Sequence, residues 1–206
     1  MKFFDFERKI NNQAIFTAEE VKTIFYNQEN IMVQISFWVK KGYLKKIEKG
    51  VYILANREPD LDSMLMAGKI YYPSYLSLEF ALNYYGIIPD IPGTYTSVTS
   101  RKTKNFQNEF GNYSYQQVKQ DFFTGYNVLK DQNISFNFAT PEKAMMDYLY
   151  LNKDRLVPEE NFWQELRINE EFKFNKKMLN DYKKLLKNKK VTILLDSLLN
   201  YQKNVR

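Results

Sequence analysis

Apolar and polar positions follow two different periods in the first sixty residues of the chain. Apolar residues recur at helical spacing in three segments, and shorter alternating segments follow them. The predicted helices are 3–12, a segment beginning after Thr17, and 31–41, and the predicted strands are 43–47 and 51–54. Three helices followed by a two-stranded hairpin predict a winged helix-turn-helix domain over residues 1–56.

The second predicted helix carries a start signal at its first turn. Thr17 is placed to cap this helix, and Glu20, three residues later, can complete a capping box. Val21, Ile24 and Phe25 then supply the stripe that we expect to be buried.

The third predicted helix has two distinct faces and ends at Gly42, a residue that tolerates a left-handed backbone. The residues expected to face the core are Ile31, Ile35, Trp38 and Val39. Those on the opposite face are Asn30, Val33, Phe37 and Lys40, with Gln34, Ser36 and Lys41 on the flanks. The outward face is therefore the one available to a partner.

Beyond a polar connector at 55–62, the pattern mixes helices and strands. The predicted helices are 61–72, 74–86, one beginning at Thr140, 159–168, 174–188 and 190–203; the predicted strands are 94–99, 112–118, 126–129 and 134–139. We therefore predict an α+β protein, in which the winged helix-turn-helix precedes a mixed α/β second domain, residues 60–206, with a helical C-terminal tail.

Composition excludes several kinds of catalytic site. The chain has no Cys and no His, which removes zinc fingers, thiol nucleophiles and Ser-His-Asp triads. Glu142 and Asp147 are five residues apart on one predicted helix, so their side chains diverge. We predict no catalytic, cofactor-binding or metal-binding residues, and no enzyme activity. Because no signal peptide or membrane span is recognisable, we also expect a cytoplasmic protein.

The net charge of +6 is distributed unevenly along the chain. Residues 1–57 carry ten Lys/Arg against six Asp/Glu, residues 58–172 carry ten against sixteen, and residues 173–206 carry ten against two. Two basic ends around an acidic middle favour a polyanionic partner, although a solvated basic face would give the same pattern.

Five lysines cluster around the predicted hairpin: Lys40, Lys41, Lys45, Lys46 and Lys49. Lysine ammonium groups suit phosphate oxygens, and five such contacts would give a log-log salt slope of roughly −4 to −5. We expect base contacts from Asn30 and Gln34, since amides pair with adenine, and we include Ser36 among the DNA-binding residues. Two alternatives remain: Asn30 only caps the helix, or the winged helix binds protein instead of DNA.

Four motifs in a fixed order carry a family resemblance. They are KKGYLKKIEKGVYIL, PSYLSLEFALNYYGIIP, TYTSVTSRKTKNFQNEFGNYSYQQV and ATPEKAMMDYLY. Over roughly residues 10–151 the chain resembles the AbiEi family, the antitoxins of bacterial abortive-infection systems of the type IV toxin-antitoxin class.

The resemblance implies a DNA-binding antitoxin that acts in phage defence. Such proteins repress their own operon by binding double-stranded DNA upstream of it, and they counter a nucleotidyltransferase-type toxin without a stable complex. Positive surface on the second domain of the family would correspond to Arg101, Lys102 and Lys104, a trio that could equally be a solvated strand end. No membrane partner is implied.

Two other functions compete with this one. The first is a winged-helix transcriptional regulator whose second domain senses a ligand or dimerises, with no toxin partner. The second is a carboxylate-dependent nuclease, which would need clustered acidic residues. The identity of the neighbouring gene distinguishes the antitoxin from the plain regulator.

Overall fold

The structure, a computed structural model, describes residues 1–10, 13–60, 62–131 and 134–204. The fold is mixed α+β with two β-sheets, which agrees with the predicted class. The chain divides into two compact units. The first comprises Met1–Tyr72 with Leu129–Phe136, and the second comprises Pro73–Val128 with Asn137–Arg206.

Most of the first unit consists of short helices around a small sheet. Its elements up to residue 72 are α1 (Phe3–Lys9), β1 (Ile15–Thr17), α2 (Ala18–Ile24), α3 (Ile31–Lys40), β2 (Leu44–Glu48), β3 (Val51–Leu54), a 3-10 helix (Ala55–Asp60) and α4 (Ser63–Ile70). The sheet has the order β1-β3-β2 and is antiparallel throughout. Strand β1 was not predicted, because three residues are too few to show alternation. Asn11 and Asn12 of the predicted first helix, and Leu61 of the predicted helix 61–72, lie outside the described residues.

An aromatic cluster forms the core of the first unit. The Phe6 ring lies 4.8 Å from that of Trp38 and 5.5 Å from that of Phe16 between centroids, at geometries favoured by aromatic pairs. The predicted stripe of α2 is correct for Val21 and Phe25, which are buried. It is wrong for Ile24, which is 41% exposed because it lies at the end of α2, on the edge of a surface cleft.

Local start and stop signals agree with the predicted helix ends. The Thr17 hydroxyl accepts from the Glu20 backbone N–H at 3.1 Å, and the Glu20 carboxylate accepts from the Thr17 N–H at 2.7 Å. Gly42 has φ of +75°, and its N–H donates to the Val39 carbonyl. The Tyr43 N–H donates to a carbonyl one residue earlier in α3, which completes a Schellman motif.

The first unit extends beyond the predicted domain of 1–56. Helix α4 belongs to it, and so does Leu129–Phe136. These two segments touch at Gly68, where an added Cβ would lie 2.6 Å from the Phe136 Cβ. A residue larger than glycine at position 68 would therefore push the two segments apart.

The second unit is built on most of a six-stranded sheet. The elements after residue 72 are β4 (Ser74–Leu76), α5 (Leu78–Tyr84), β5 (Tyr95–Thr99), β6 (Lys104–Asn108), β7 (Gly111–Gln117), a 3-10 helix (Gln120–Phe122), β8 (Tyr126–Asp131), β9 (Ile134–Ala139), α6 (Pro141–Asn152), α7 (Glu160–Glu165), α8 (Lys176–Leu186) and α9 (Lys189–Asn204). Residues 129–131 of β8 and 134–136 of β9 belong to the first unit. The strand order is β6-β7-β5-β4-β9-β8. Strands β5 and β7 are parallel, as are β4 and β9, whereas β4 pairs with β5 and β6 with β7 in antiparallel fashion.

Two segments of the second unit differ from the prediction. The helix predicted over 74–86 is wrong at its start, because Ser74–Leu76 forms β4 and the helix begins only at Leu78. Tyr75 opposes Val98 in the sheet, so pairing with a distant strand overrides the local helical pattern. Strand β6 was missed because its sequence, KNFQN, is polar and lies at a sheet edge.

The tail is helical, as predicted. Trp163 of α7 is buried, and its indole N–H donates to the Ser197 hydroxyl of α9 at 2.9 Å. Leu179 of α8 is also buried. Within the described ranges, no helix is long and apolar enough to cross a bilayer.

Candidate nucleic-acid interface

Helix α3 buries one face and exposes the other. Ile35 and Trp38 lie in the core, whereas Val33 is 66% exposed and Phe37 is 52% exposed. The two exposed side chains are four residues apart and therefore lie on the same side of the helix. The outward face of α3 is therefore apolar at its centre.

The residues predicted to read bases have different surroundings. Asn30 is exposed and occupies the N-cap position of α3 with φ of +62°, but its side chain makes no capping hydrogen bond. Gln34 is half-buried on the flank of α3. Ser36 is exposed, but its hydroxyl donates to the Met32 carbonyl at 2.9 Å, which leaves only its acceptor capacity for a partner.

Four of the five predicted lysines extend into solvent: Lys40, Lys41, Lys46 and Lys49. None of them forms an ion pair with an acidic residue in the described part of the chain. The Lys41 ammonium lies 5.7 Å from the centroid of the Phe37 ring, at the end of α3. Lys40 and Lys41 lie at the C-terminal end of α3, and Lys46 and Lys49 lie in the β2–β3 hairpin.

Lys45 differs from its neighbours. Its ammonium lies 2.9 Å from the carboxylate of Glu58, a residue of the 3-10 helix that follows β3. A partly exposed ion pair of this kind is worth little energy, but it occupies the Lys45 ammonium.

The second predicted basic cluster lies in the second unit. Arg101 and Lys102 occupy the turn between β5 and β6, and Lys104 begins β6; all three are exposed. The Lys104 ammonium lies 4.4 Å from the centroid of the Phe106 ring.

A buried charged cluster in the second unit was missed at the level of sequence. Lys143 and Asp147 of α6 are both inaccessible to solvent, and the Lys143 ammonium lies 2.5 Å from the Asp147 carboxylate. The same carboxylate accepts from the Ser77 hydroxyl at 2.8 Å and from the Tyr75 hydroxyl at 3.0 Å. The Lys143 ammonium also lies 3.2 Å from the centroid of the Phe122 ring. The available signal was the i, i+4 spacing of a lysine and an aspartate.

Burial opposes the charged form of both members of this pair. Desolvation raises the pKa of Asp147, and the ammonium of Lys143 with the hydroxyls of Ser77 and Tyr75 acts in the opposite direction. Desolvation likewise lowers the pKa of Lys143, against the attraction of Asp147. Because three donors already satisfy the carboxylate and no solvent reaches it, the cluster holds elements together and offers no site to a substrate.

Glu142, the other acid of α6, has a separate partner. Its carboxylate accepts from the Asn175 backbone N–H at 2.8 Å. Among the described residues, no group of three or more acidic side chains is placed to hold a metal ion.

Comparisons with known proteins do not extend this picture. No protein-family profile matches the chain, and no curated protein is significantly similar to it. The resemblance of its four motifs to the AbiEi family therefore stays a prediction.

Proposed function

We propose that the protein binds double-stranded DNA through a winged helix-turn-helix formed within its first unit. The observation that carries this proposal is the exposed face of α3 together with four lysines, two at the end of that helix and two in the β2–β3 hairpin, that no acidic residue of the described chain neutralises. Helix α3 has ten residues and is therefore about 15 Å long. The major groove of B-DNA, about 12 Å wide, admits an α-helix, which is about 10–12 Å in diameter with its side chains.

The roles of the side chains follow from their chemistry. Lys40, Lys41, Lys46 and Lys49 contact phosphates and make binding sensitive to salt, with a log-log slope of about −3.6 for four contacts. Asn30 and Gln34 supply amides that suit adenine, and Ser36 supplies an acceptor. The contacts from Arg101, Lys102 and Lys104 belong to a second basic surface.

We further propose that this DNA binding represses the protein's own operon and that the protein is an AbiEi-type antitoxin. The support is the order of four motifs over roughly residues 10–151. In this proposal the functional partner is a nucleotidyltransferase-like toxin, countered without a stable complex, and the second unit carries the neutralising activity.

The DNA-binding proposal is tested with the full chain and duplex DNA from upstream of its own gene. Lys46→Ala with Lys49→Ala should weaken binding in a gel shift and reduce the magnitude of the salt slope by about 1.8. The control is Lys119→Ala with Lys173→Ala, which removes the same charge from exposed positions of the second unit. Equal affinity for both double variants would contradict the assignment of the hairpin to DNA.

The antitoxin proposal is tested separately, with the same hairpin variant. If the neighbouring gene encodes a nucleotidyltransferase, co-expression of the Lys46→Ala, Lys49→Ala chain should still rescue cells from that enzyme, although repression is lost. Loss of rescue by a folded variant would show that neutralisation requires DNA binding.

One observation favours the alternative of a ligand-sensing regulator. The second unit has an open cleft of about 610 Å³, and Thr96, Ser114 and Gln116 line it with hydroxyl and amide groups. Such groups suit a small polar ligand. A neighbouring gene unrelated to nucleotidyltransferases, together with a ligand that alters DNA affinity, would favour this alternative over the antitoxin.

A further inference from the structure

We propose that Val33 and Phe37 select DNA sequence by packing against the C5 methyl groups of thymine. This inference rests on the DNA-binding function proposed above and specifies how α3 discriminates between base pairs. It concerns two residues on the outward face of α3 that sequence reasoning did not include among the DNA contacts.

The exposure of these side chains is the first argument. Val33 and Phe37 are 66% and 52% exposed, so more than half of each side chain still faces water. Covering such apolar surface is favourable whenever a partner presents complementary apolar groups. Covering Val33 and Phe37 with apolar groups of a partner would therefore contribute to binding affinity.

Charge decides which partner fits this face. Lys40 and Lys41 follow Phe37 at the end of α3, and neither is neutralised by an acidic residue of the described chain. An apolar protein surface would have to desolvate these ammonium groups or leave them at its rim. A DNA duplex instead presents phosphates beside a groove that contains methyl groups, and so matches both the lysines and the apolar pair.

The major groove of DNA contains apolar groups that Val33 and Phe37 can contact. Thymine is the base that presents a methyl group in the major groove, and apolar side chains such as phenylalanine contact it there. Residues at i and i+4 have Cβ atoms about 5–6 Å apart, and base pairs rise about 3.4 Å along each strand. Val33 and Phe37 therefore span thymines that are no more than about two base-pair steps apart.

Polar readout from the same helix turn is limited. The hydroxyl of Ser36 donates to the Met32 carbonyl and has no proton left for a base acceptor. Gln34 keeps its amide for a base, and apolar contact by Val33 and Phe37 adds to that readout at this turn of α3.

The test begins with selection of a preferred duplex by the full chain from a random-sequence DNA pool. That duplex is remade with deoxyuridine in place of each thymine in turn, which removes the methyl group and leaves the hydrogen-bonding groups unchanged. At one or two positions within about two base-pair steps, affinity should fall about fourfold, the factor for one buried methyl group. Because only the DNA is altered, this result does not depend on the folding of any variant.

The protein side of the test uses Phe37→Ala. This variant should bind the thymine and deoxyuridine duplexes equally at the position that Phe37 contacts. The matched control is Phe4→Ala, which truncates a phenylalanine of α1 that is 69% exposed and should keep the full preference for thymine.

Two results would overturn the inference, and they have different consequences. Equal affinity for every deoxyuridine duplex would show that the methyl groups are not read, while leaving DNA binding itself intact. Failure of the chain to retain any duplex from the pool would overturn the DNA-binding function and the inference together.

Discussion

The ammonium of Lys143 lies 2.5 Å from the carboxylate of Asp147, and neither side chain is accessible to solvent. Both residues belong to α6, one helical turn apart, but the carboxylate also accepts hydrogen bonds from Tyr75 and Ser77. The pair therefore fixes α6 against the end of β4. Removing two charges from water is costly, so this arrangement is stable only while both partners are present.

The first prediction concerns the loss of one partner. Asp147→Asn leaves the Lys143 ammonium buried without a counter-charge, and it should lower the free energy of unfolding by about 3–5 kcal/mol. Urea unfolding of the full chain measures this change. Asp154→Asn, which removes an exposed carboxylate that pairs with Lys190, should leave the unfolding midpoint unchanged.

A second substitution distinguishes lost charge balance from altered packing. Lys143→Met added to Asp147→Asn removes both charges and keeps an acceptor for the hydroxyls of Ser77 and Tyr75. This double variant should regain much of the stability lost by Asp147→Asn alone. A double variant as unstable as the single one would contradict the role given to charge.

The second prediction concerns alkaline pH and Tyr201 of α9. Burial raises the pKa of Tyr201 to about 12, and the Glu170 carboxylate, which accepts a hydrogen bond from the Tyr201 hydroxyl at 2.8 Å, adds to this effect. Since the pKa of the same phenol in an unfolded chain is about 10, the folded state binds its proton more tightly. The resulting stability is complete below about pH 10 and is lost as the pH rises towards 12.

Tyr201→Phe provides the comparison for this pH dependence. The difference in unfolding free energy between the native chain and this variant should be constant below about pH 10 and shrink above it. Denaturant unfolding at a series of pH values measures the difference. A difference that does not change with pH would show that Tyr201 ionises equally in both states.

The third prediction concerns the end of α3. Gly42 has φ of +75°, and no atom lies within 4 Å of a Cβ added there, so a substitution tests backbone conformation alone. Gly42→Ala should lower stability by about 1–2 kcal/mol, the cost of a left-handed conformation for a residue with a Cβ. Gly42→Asn should cost less, because asparagine tolerates this region.

Gly93 is the control for the substitution at position 42. A Cβ added at Gly93 also meets no atom within 4 Å, but the residue does not have a positive φ in the left-handed range. Gly93→Ala should therefore leave the unfolding midpoint unchanged or raise it slightly. Equal losses at both glycines would contradict the conformational explanation.

The fourth prediction depends on the proposed DNA binding. The Lys45 ammonium pairs with the Glu58 carboxylate, whereas no acidic residue of the described chain pairs with Lys46. Lys46→Ala should therefore weaken binding to duplex DNA more than Lys45→Ala. Gel shifts with each single variant measure the difference, and equal losses would contradict the distinction between the two lysines.

Local features of the fold were predictable because they depend on residues within a few positions of one another. The capping box of Thr17 and Glu20 forms as expected, and α3 ends at Gly42. Thr140 caps α6, with Pro141 in its first turn. These signals act within single helices, so the sequence contains all the information that they need.

The errors arise where distant segments decide the outcome. Ser74–Leu76 has a helical pattern but pairs with β5, more than twenty residues later in the chain. In the same way, the Lys45–Glu58 pair and the contact of Tyr75 with Asp147 join residues from different elements. Spacing along one helix or strand contains no information about such contacts.

The assignment of Leu129–Phe136 to the first unit has a consequence for synthesis of the chain. Met1–Tyr72 leaves the ribosome long before Phe136 is synthesised, so the first unit lacks one of its parts until about two thirds of these 206 residues have been translated. Nascent chains stalled before Leu129 should accordingly be more sensitive to protease within Met1–Tyr72 than chains stalled well after Phe136. The first unit would thus be completed late, although most of it lies early in the sequence.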